Sequence, residues 1–172
     1  EHLVRRHPDL VVLAYGTNEG TDADEPIQAF EQQLRQVLGR LRRSAPHANC
    51  LLIGPTDHPQ RVGKSNAYRL RRRTALIVDT QRKVAAQGGC GYLDLVPIMG
   101  GPLATVRLVG LGLAAKDYTH LTRRGYEALG DAITAALLRG YANWHASACA
   151  RVQRGGGAGG AGKPVSATPA QR

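Results

Sequence analysis

Three side chains stand out for the chemistry that their types and spacing allow: Asn18, Asp117 and His120. Asp117-Tyr118-Thr119-His120 sets a carboxylate three residues before an imidazole, in a polar stretch just ahead of a helical pattern. At that spacing the carboxylate can turn back onto the ring, fix its tautomer and leave the other nitrogen as a general base. Taken alone, such a pair reads better as a turn aspartate beside an exposed loop histidine. Asn18, in Gly16-Thr17-Asn18-Glu19, poses the same choice. Asn is a good turn residue after Gly, and its side-chain amide is also a donor able to stabilise an oxyanion in acyl transfer. Alone, it too reads as a turn. Metal ligation by Asp117 and His120 is the weaker option, because no further His or Cys is spaced to join them. Neither a metal nor a cofactor is expected. His2, His7, His47, His58 and His145 fall at helix ends or in polar loops and read mostly as surface residues. Asp57-His58 borders the same region and is retained only as a candidate substrate contact.

The elements that must position these residues follow from the apolar pattern. Asn18 lies just beyond Leu10-Val11-Val12-Leu13-Ala14, an apolar run that reads as a buried strand ending in the Gly16–Gly20 loop. Ligands bind at the carboxyl ends of such strands in open α/β sheets. Asp24 is expected to cap a helix whose apolar residues Ile27, Phe30, Leu34, Val37, Leu38 and Leu41 recur at spacings of three and four, up to Ala45-Pro46. Cys50–Ile53 reads as a second buried strand, with Gly54-Pro55-Thr56-Asp57 at its carboxyl end. After an irregular stretch over 57–65, Asn66 is expected to cap a helix with Leu70, Ile77, Val78 and Val84 on one face, stopped by Gly88-Gly89. Tyr92-Leu93-Asp94-Leu95 reads as the third strand. The strands begin about forty residues apart with one helix between each pair. That period implies right-handed crossovers, a parallel sheet and a three-layer α/β domain.

Residues 103–112 read as a short helix or an apolar lid. The helix after His120 presents Tyr126, Leu129, Ile133 and Leu137 on one face and is expected to continue to about Val152. One domain is thus expected over residues 1–150, followed by a disordered or linker-like basic tail, rich in Gly, Ala and Pro, over 151–172. Residues 1–7 read as the end of a helix already under way, and the first residue is Glu1, so an N-terminally incomplete or processed chain is expected.

Composition narrows the classes. The 172 residues can bury one good core, and no apolar run approaches a membrane span. The net charge is +10, of which the acid-free tail 151–172 carries four, leaving +6 for residues 1–150. Such an excess suits an anionic partner. Here, however, the arginines are spread along helix faces, few aromatics are interleaved and no nucleic-acid motif appears, so solvated surfaces are the better reading. Cys50, Cys90 and Cys149 fit no metal spacing and leave one thiol unpaired in any arrangement; Cys50 reads as a small buried hydrophobe.

Taken together, Gly16-Thr17-Asn18-Glu19 after a buried strand and Asp117-x-x-His120 before the last helix resemble the SGNH hydrolase (GDSL-type esterase/lipase) family over about residues 8–140. His120-Leu121-Thr122-x-x-Gly125-Tyr126 is similar to the family's continuation after its histidine. Gly54-Pro55-Thr56-Asp57 and Met99-Gly100-Gly101 are similar to stretches in bacterial members, among them peptidoglycan O-acetylesterases. The resemblance implies a flavodoxin-like α/β/α sandwich and a serine esterase. In it Asn18 would be an oxyanion donor, His120 the general base, Asp117 its orienting carboxylate and Gly16 the glycine that turns the loop. It also implies a small-molecule or glycan ester substrate, such as O-acetyl esters of cell-wall glycan, other carbohydrate esters or a lysophospholipid, and an extracellular or periplasmic setting. Glu19 stands where Asp is more usual.

The family's nucleophile lies in a Gly-Asp-Ser block on an earlier strand, and Ser44, Ser65, Ser147 and Ser166 occupy no such context. The nucleophile is therefore expected outside these residues. The rival reading is a non-catalytic glycan- or anion-binding module. A nucleotide-binding domain has little support, because no glycine-rich phosphate loop follows any strand. Hydrolysis against acyl transfer, and oligomeric state, stay open at this level.

Overall fold

The structure is a computed structural model that describes residues 2–21 and 24–155. The chain divides into two units, Glu1–Ile133 and Thr134–Arg172, and the sheet, its helices and the candidate site residues all belong to the first. Helix α1 (His2–Arg6) leads through His7 and Pro8 into strand β1 (Leu10–Ala14). Helix α2 (Ile27–Ser44) then returns the chain to β2 (Asn49–Ile53), which pairs in parallel with β1 from Leu10 opposite Asn49 to Ala14 opposite Ile53. A hairpin of β3 (Pro59–Arg61) and β4 (Tyr68–Leu70) precedes α3 (Arg72–Gln87). Strand β5 (Gly91–Leu93) follows and pairs in parallel with β2. Sheet order is therefore β1-β2-β5, all parallel.

The core forms where the apolar stripe of α2 meets one face of the sheet and α3. Phe30, Leu34, Leu38 and Leu41 from α2 cluster with Cys50 and Leu52 of β2 and with Ile77, Val84 and Ala85 of α3. Each large side chain buried there contributes roughly 1.5–3 kcal/mol. Val11 and Leu13 pack against this cluster, whereas Leu10 and Val12, on the alternate face of β1, stay 53% and 49% exposed.

Several local expectations change. Strand β1, expected as a buried strand, is covered on one face only, and Asp24 is not the cap of α2, which starts after Pro26 with no side-chain cap hydrogen bond. The helix expected from Asn66 begins at Arg72, because 59–70 closes into the hairpin instead. Arg61 draws the turn together, donating to the Ser65 carbonyl at 2.6 Å and to Asn66 Oδ1 at 2.6 Å, so Asn66 is no cap. Leu70 accordingly sits on β4 and is 40% exposed, off the buried face of α3. The third strand ends at Leu93 because the Asp94 carboxylate accepts the Val96 N–H at 3.0 Å and starts α4 (Leu95–Ile98). Cys50 is more than a buried hydrophobe: it is joined to Cys90 in a disulfide, and the free thiol is Cys149.

Beyond α4, residues 103–112 contain α5 (Ala104–Gly110), and α6 (Arg123–Gly155) follows His120. Leu129 and Ile133 on α6 are half-buried, but Tyr126 is 57% exposed and falls outside the covered face. The tail expected over 151–172 lies outside the described residues except for 151–155, the last residues of α6. Among the described residues no helix is long and apolar enough to cross a membrane.

Candidate active site

The loop after β1 is built by its glycine and held from beneath by α3. Gly16 adopts φ +109°, a conformation that favours glycine, and a Cβ there would lie 2.8 Å from Ile77 Cγ2. Its N–H donates to Glu19 Oε2 at 3.1 Å, and its carbonyl accepts the Gly20 N–H at 2.9 Å. Glu19 therefore serves the turn itself. The fully buried Gln81 donates its amide to the Tyr15 carbonyl at 2.9 Å. Arg73 donates to the Glu19 carbonyl at 3.3 Å and to the Glu25 carbonyl at 2.5 Å. Asn18 rides exposed on this frame, its main-chain carbonyl accepting from the Thr21 N–H at 3.0 Å and the Thr21 hydroxyl at 2.6 Å.

The second loop is pinched at its base. The Ala115 N–H donates to the His120 carbonyl at 2.8 Å and the Thr122 N–H to the Leu113 carbonyl at 3.0 Å. Asp117 fills the interior of the turn. Its Oδ1 accepts the main-chain N–H groups of Thr119 and His120 at 2.9 and 3.0 Å, while Oδ2 lies 2.8 Å from His120 Nδ1. Those donors, chiefly the His120 N–H, then the His120 ring and the Thr119 N–H, hold the Asp117 carboxyl down to about 2. A charged carboxylate on Nδ1 favours the tautomer that leaves Nε2 as the basic atom. Both side chains are open, His120 at 72% and Asp117 at 51% exposure. Immediately after His120, Thr122 Oγ1 caps α6 by accepting the Gly125 N–H at 3.2 Å.

Two residues around this loop have contacts that the sequence did not indicate. Tyr118 adopts φ +58° and its ring stacks on Tyr68 of β4, with centroids 4.7 Å apart. The hairpin thus buttresses the loop. His58, read as a surface residue or substrate contact, is only 5% exposed, and its Nε2 lies 3.2 Å from Thr119 Oγ1. Its neighbour Asp57 is 1% exposed and accepts from the Thr105 N–H and hydroxyl, anchoring the start of α5. A charged residue in the tract 57–65 gave no sign of that depth, because its partner Thr105 lies 48 residues further along the chain. His2, His7, His47 and His145 are exposed.

The described serines are occupied elsewhere. Ser65 Oγ donates to the Val62 carbonyl at the hairpin tip, Ser147 Oγ donates to the Asn143 carbonyl on α6, and Ser44 ends α2. Ser166 lies outside the described residues. Among the described residues no group of His, Cys, Asp and Glu is arranged to hold a metal ion.

A parallel sheet with helices packed on it is the α/β/α arrangement of the SGNH-type hydrolases. Residues 1–128 match the GDSL-like Lipase/Acylhydrolase family, and the chain belongs to that family. Among solved structures it is similar to a peptidoglycan O-acetylesterase, with 29% identity and a TM-score of 0.72 over 80% of this chain. The chain spans 39% of that protein's length. An acetyl xylan esterase shares 23% identity at a TM-score of 0.57, over 78% of this chain and 69% of its own. The periplasmic domain of a lipopolysaccharide acetyltransferase from Salmonella ser. Paratyphi A shares 14% identity at a TM-score of 0.54, over 79% of this chain and 59% of its own. These last two show the shared fold. A sequence comparison with curated proteins finds no significant match.

Proposed function

We propose that this chain supplies the acid–base and oxyanion residues of a serine esterase that removes O-acetyl groups from carbohydrate, with cell-wall glycan the favoured substrate. The observation that carries the reading is the 2.8 Å contact between Asp117 Oδ2 and His120 Nδ1, on an exposed loop directly before α6. The substrate class rests on the 29% identity to a peptidoglycan O-acetylesterase. A disulfide between Cys50 and Cys90 suits an extracellular or periplasmic setting.

In this mechanism the nucleophile is a serine outside the described residues. Its hydroxyl attacks the ester carbonyl carbon as His120 Nε2 takes the proton, and Asp117 stabilises the imidazolium that forms. The Asn18 amide donates to the carbonyl oxygen as it becomes an oxyanion. Collapse breaks the ester C–O bond, with His120 returning the proton to the departing sugar hydroxyl. Water then attacks the acyl-serine by the same route and releases acetate.

The test is turnover of an acetyl ester by the protein carrying its serine segment. His120→Ala should lower kcat on the order of 10³-fold or more, and Asn18→Ala about 10²–10³-fold. Undiminished turnover by His120→Ala overturns the assignment. Glycan binding with no turnover in any variant would favour the non-catalytic reading instead.

A further inference from the structure

The β3–β4 hairpin and its exit into α3 gather positive charge. Residues 59–72 hold Arg61, Lys64, Arg69, Arg71 and Arg72 and no acid. The rest of residues 1–150 has fourteen basic residues against thirteen acidic ones, so this stretch carries five of the six net charges. Arg61, Lys64, Arg69 and Arg72 are exposed, and among the described residues none of the five forms an ion pair. Like charges held close repel one another, so the fold gains nothing from this gathering, whereas an anionic ligand would.

The hairpin stands against the histidine loop. Tyr68 of β4 stacks on Tyr118, and His58, the residue before β3, has its Nε2 3.2 Å from Thr119 Oγ1. Arg61 lies directly opposite Tyr68 in the hairpin register. Opposed residues of antiparallel strands share a face, so Arg61 is on the face that meets the loop. Arg69, next to Tyr68, is on the other face, and Lys64 is at the turn. The Arg61 guanidinium is held by neutral groups: Nε donates to the Ser65 carbonyl and Nη2 to Asn66 Oδ1, both at 2.6 Å. Two of its five N–H donors are thereby used, and three remain on a head whose orientation is already set. A planar cation of fixed orientation, with no carboxylate of its own, is suited to charge-assisted pairing with one from a ligand. Strands of three residues extend only about 10 Å, so the hairpin keeps this group near the loop on which it leans.

We propose that Arg61 binds a carboxylate on the glycan whose ester His120 acts on, while Lys64, Arg69 and Arg72 draw that anionic chain toward the site. The inference rests on the esterase reading above for the reaction, though not for the binding of an acidic glycan. It narrows the substrate to O-acetylated glycan with a carboxylate on the esterified sugar or close to it, since a neutral polysaccharide offers the hairpin no counter-charge. Nucleic acid also seeks basic surfaces, but its single strands are gripped by aromatic faces open to the bases. Tyr68 and Tyr118 are instead turned on each other.

The experiment measures binding of two labelled oligosaccharides to the 172-residue chain by fluorescence anisotropy. One is an oligogalacturonate, with a carboxylate on every sugar, and the other an uncharged xylo-oligosaccharide of the same length. The acidic ligand should bind about tenfold or more tightly at low salt and lose that advantage at about 1 M, where screening acts within about 3 Å. Asn66→Asp sets a carboxylate against Arg61 Nη2 and should weaken the acidic ligand about fivefold or more, leaving the neutral one unchanged. Arg61→Lys, which keeps the charge without the planar fork, should weaken it about threefold. Asn66 is exposed and close in shape to Asp, so the test survives if an Arg61 variant fails to fold. Equal affinity for the two oligosaccharides, or no loss for the acidic one in either variant, overturns the proposal. If the variants lose affinity for a single-stranded oligodeoxynucleotide but not for the oligogalacturonate, the patch belongs to nucleic acid and the proposal is equally overturned. In the protein that carries the serine, the preference in kcat/KM for acetylated polygalacturonate over acetylated xylan should fall about fivefold in Asn66→Asp. Selective, salt-dependent binding of the acidic ligand with no turnover in any variant would sink the esterase reading while leaving the Arg61 contact intact, which separates the two failures.

Discussion

At the scale of single residues, the site holds two titratable groups displaced in the same direction for opposite reasons. Asp117 is lowered to about 2 because three donors favour its charged form. His58 is lowered from 6.5 because burial penalises its charged form. For Asp117, stabilisation is present above about pH 3.8 and disappears as pH falls toward 2, below any working range. For His58, the unfolded chain binds the proton more tightly than the folded one. Stability is therefore full above pH 6.5 and declines as pH falls toward the lower folded value. Urea midpoints should drop more between pH 7.5 and 5 for the unaltered chain than for His58→Gln, and equal drops would contradict this sign. The Asp117–His120 pair could be read from spacing because all its geometry lies within four residues. The depth of His58 could not, since its contact, Thr119, lies on a loop sixty-one residues away.

At the scale of elements, the histidine loop takes its position from the first turn of α6. A Cβ on Gly125 would lie 1.8 Å from the Leu113 carbonyl oxygen, a backbone atom with no freedom to retreat. The helix can approach the Leu113–Ala115 segment only because that position is bare. Gly125→Ala should cost about 1–3 kcal/mol by the ordinary penalty for overpacking. The resulting shift of α6 should lower kcat as well as Tm; a loss in Tm alone would mean that the loop is insulated from the helix. Helix α2 was legible because burial on one face writes a period into the sequence, and the strands because each is a short apolar run. That β1 is covered on one face only was not legible, since its apolar residues run through both faces. The β3–β4 hairpin was not, because three-residue strands with polar tips carry no period, and Asn66 mimicked a helix cap while serving Arg61. Gln81 was equally hidden: a glutamine in a helix reads as solvent-facing until the loop that it supports is seen beside it.

For the molecule as a whole, the Cys50–Cys90 bond crosses between β2 and the turn before β5, on the side of the sheet that α2 covers. The cysteines lie 40 residues apart, and closing a loop of that length stabilises by up to about 4 kcal/mol. Cys50→Ala/Cys90→Ala should lower Tm by several degrees while leaving KM for an acetyl ester unchanged, because neither cysteine reaches the site loops. An unaltered Tm would place the bond's contribution near zero. Arginines that pair with acids, such as Arg35 with Glu31 and Arg82 with Asp79 and Asp94, cancel within the +6 over residues 1–150. Other arginines have structural work in this fold: Arg42 donates to the Ala48, Gly88 and Gly89 carbonyls, and Arg107 to those of Gly100 and Pro102.

One further consequence attaches to β1. Among the described residues only one of its edges is paired, with β2, and its Leu10 and Val12 side chains are half open. An unpaired strand edge is a socket for another strand. On the esterase reading proposed above, the nucleophilic serine can therefore be sought on a strand that adds to this edge, covalently continuous with the chain or not. A separate polypeptide bearing a Gly-Asp-Ser strand, added to the 172-residue chain, should complement it and restore acetyl-ester turnover with saturable dependence on its concentration. Complementation would turn the strand edge into a switch, with activity governed by whether its partner is present. Turnover by the joined protein, with none from the separate pieces, would show that the socket works only within a single chain.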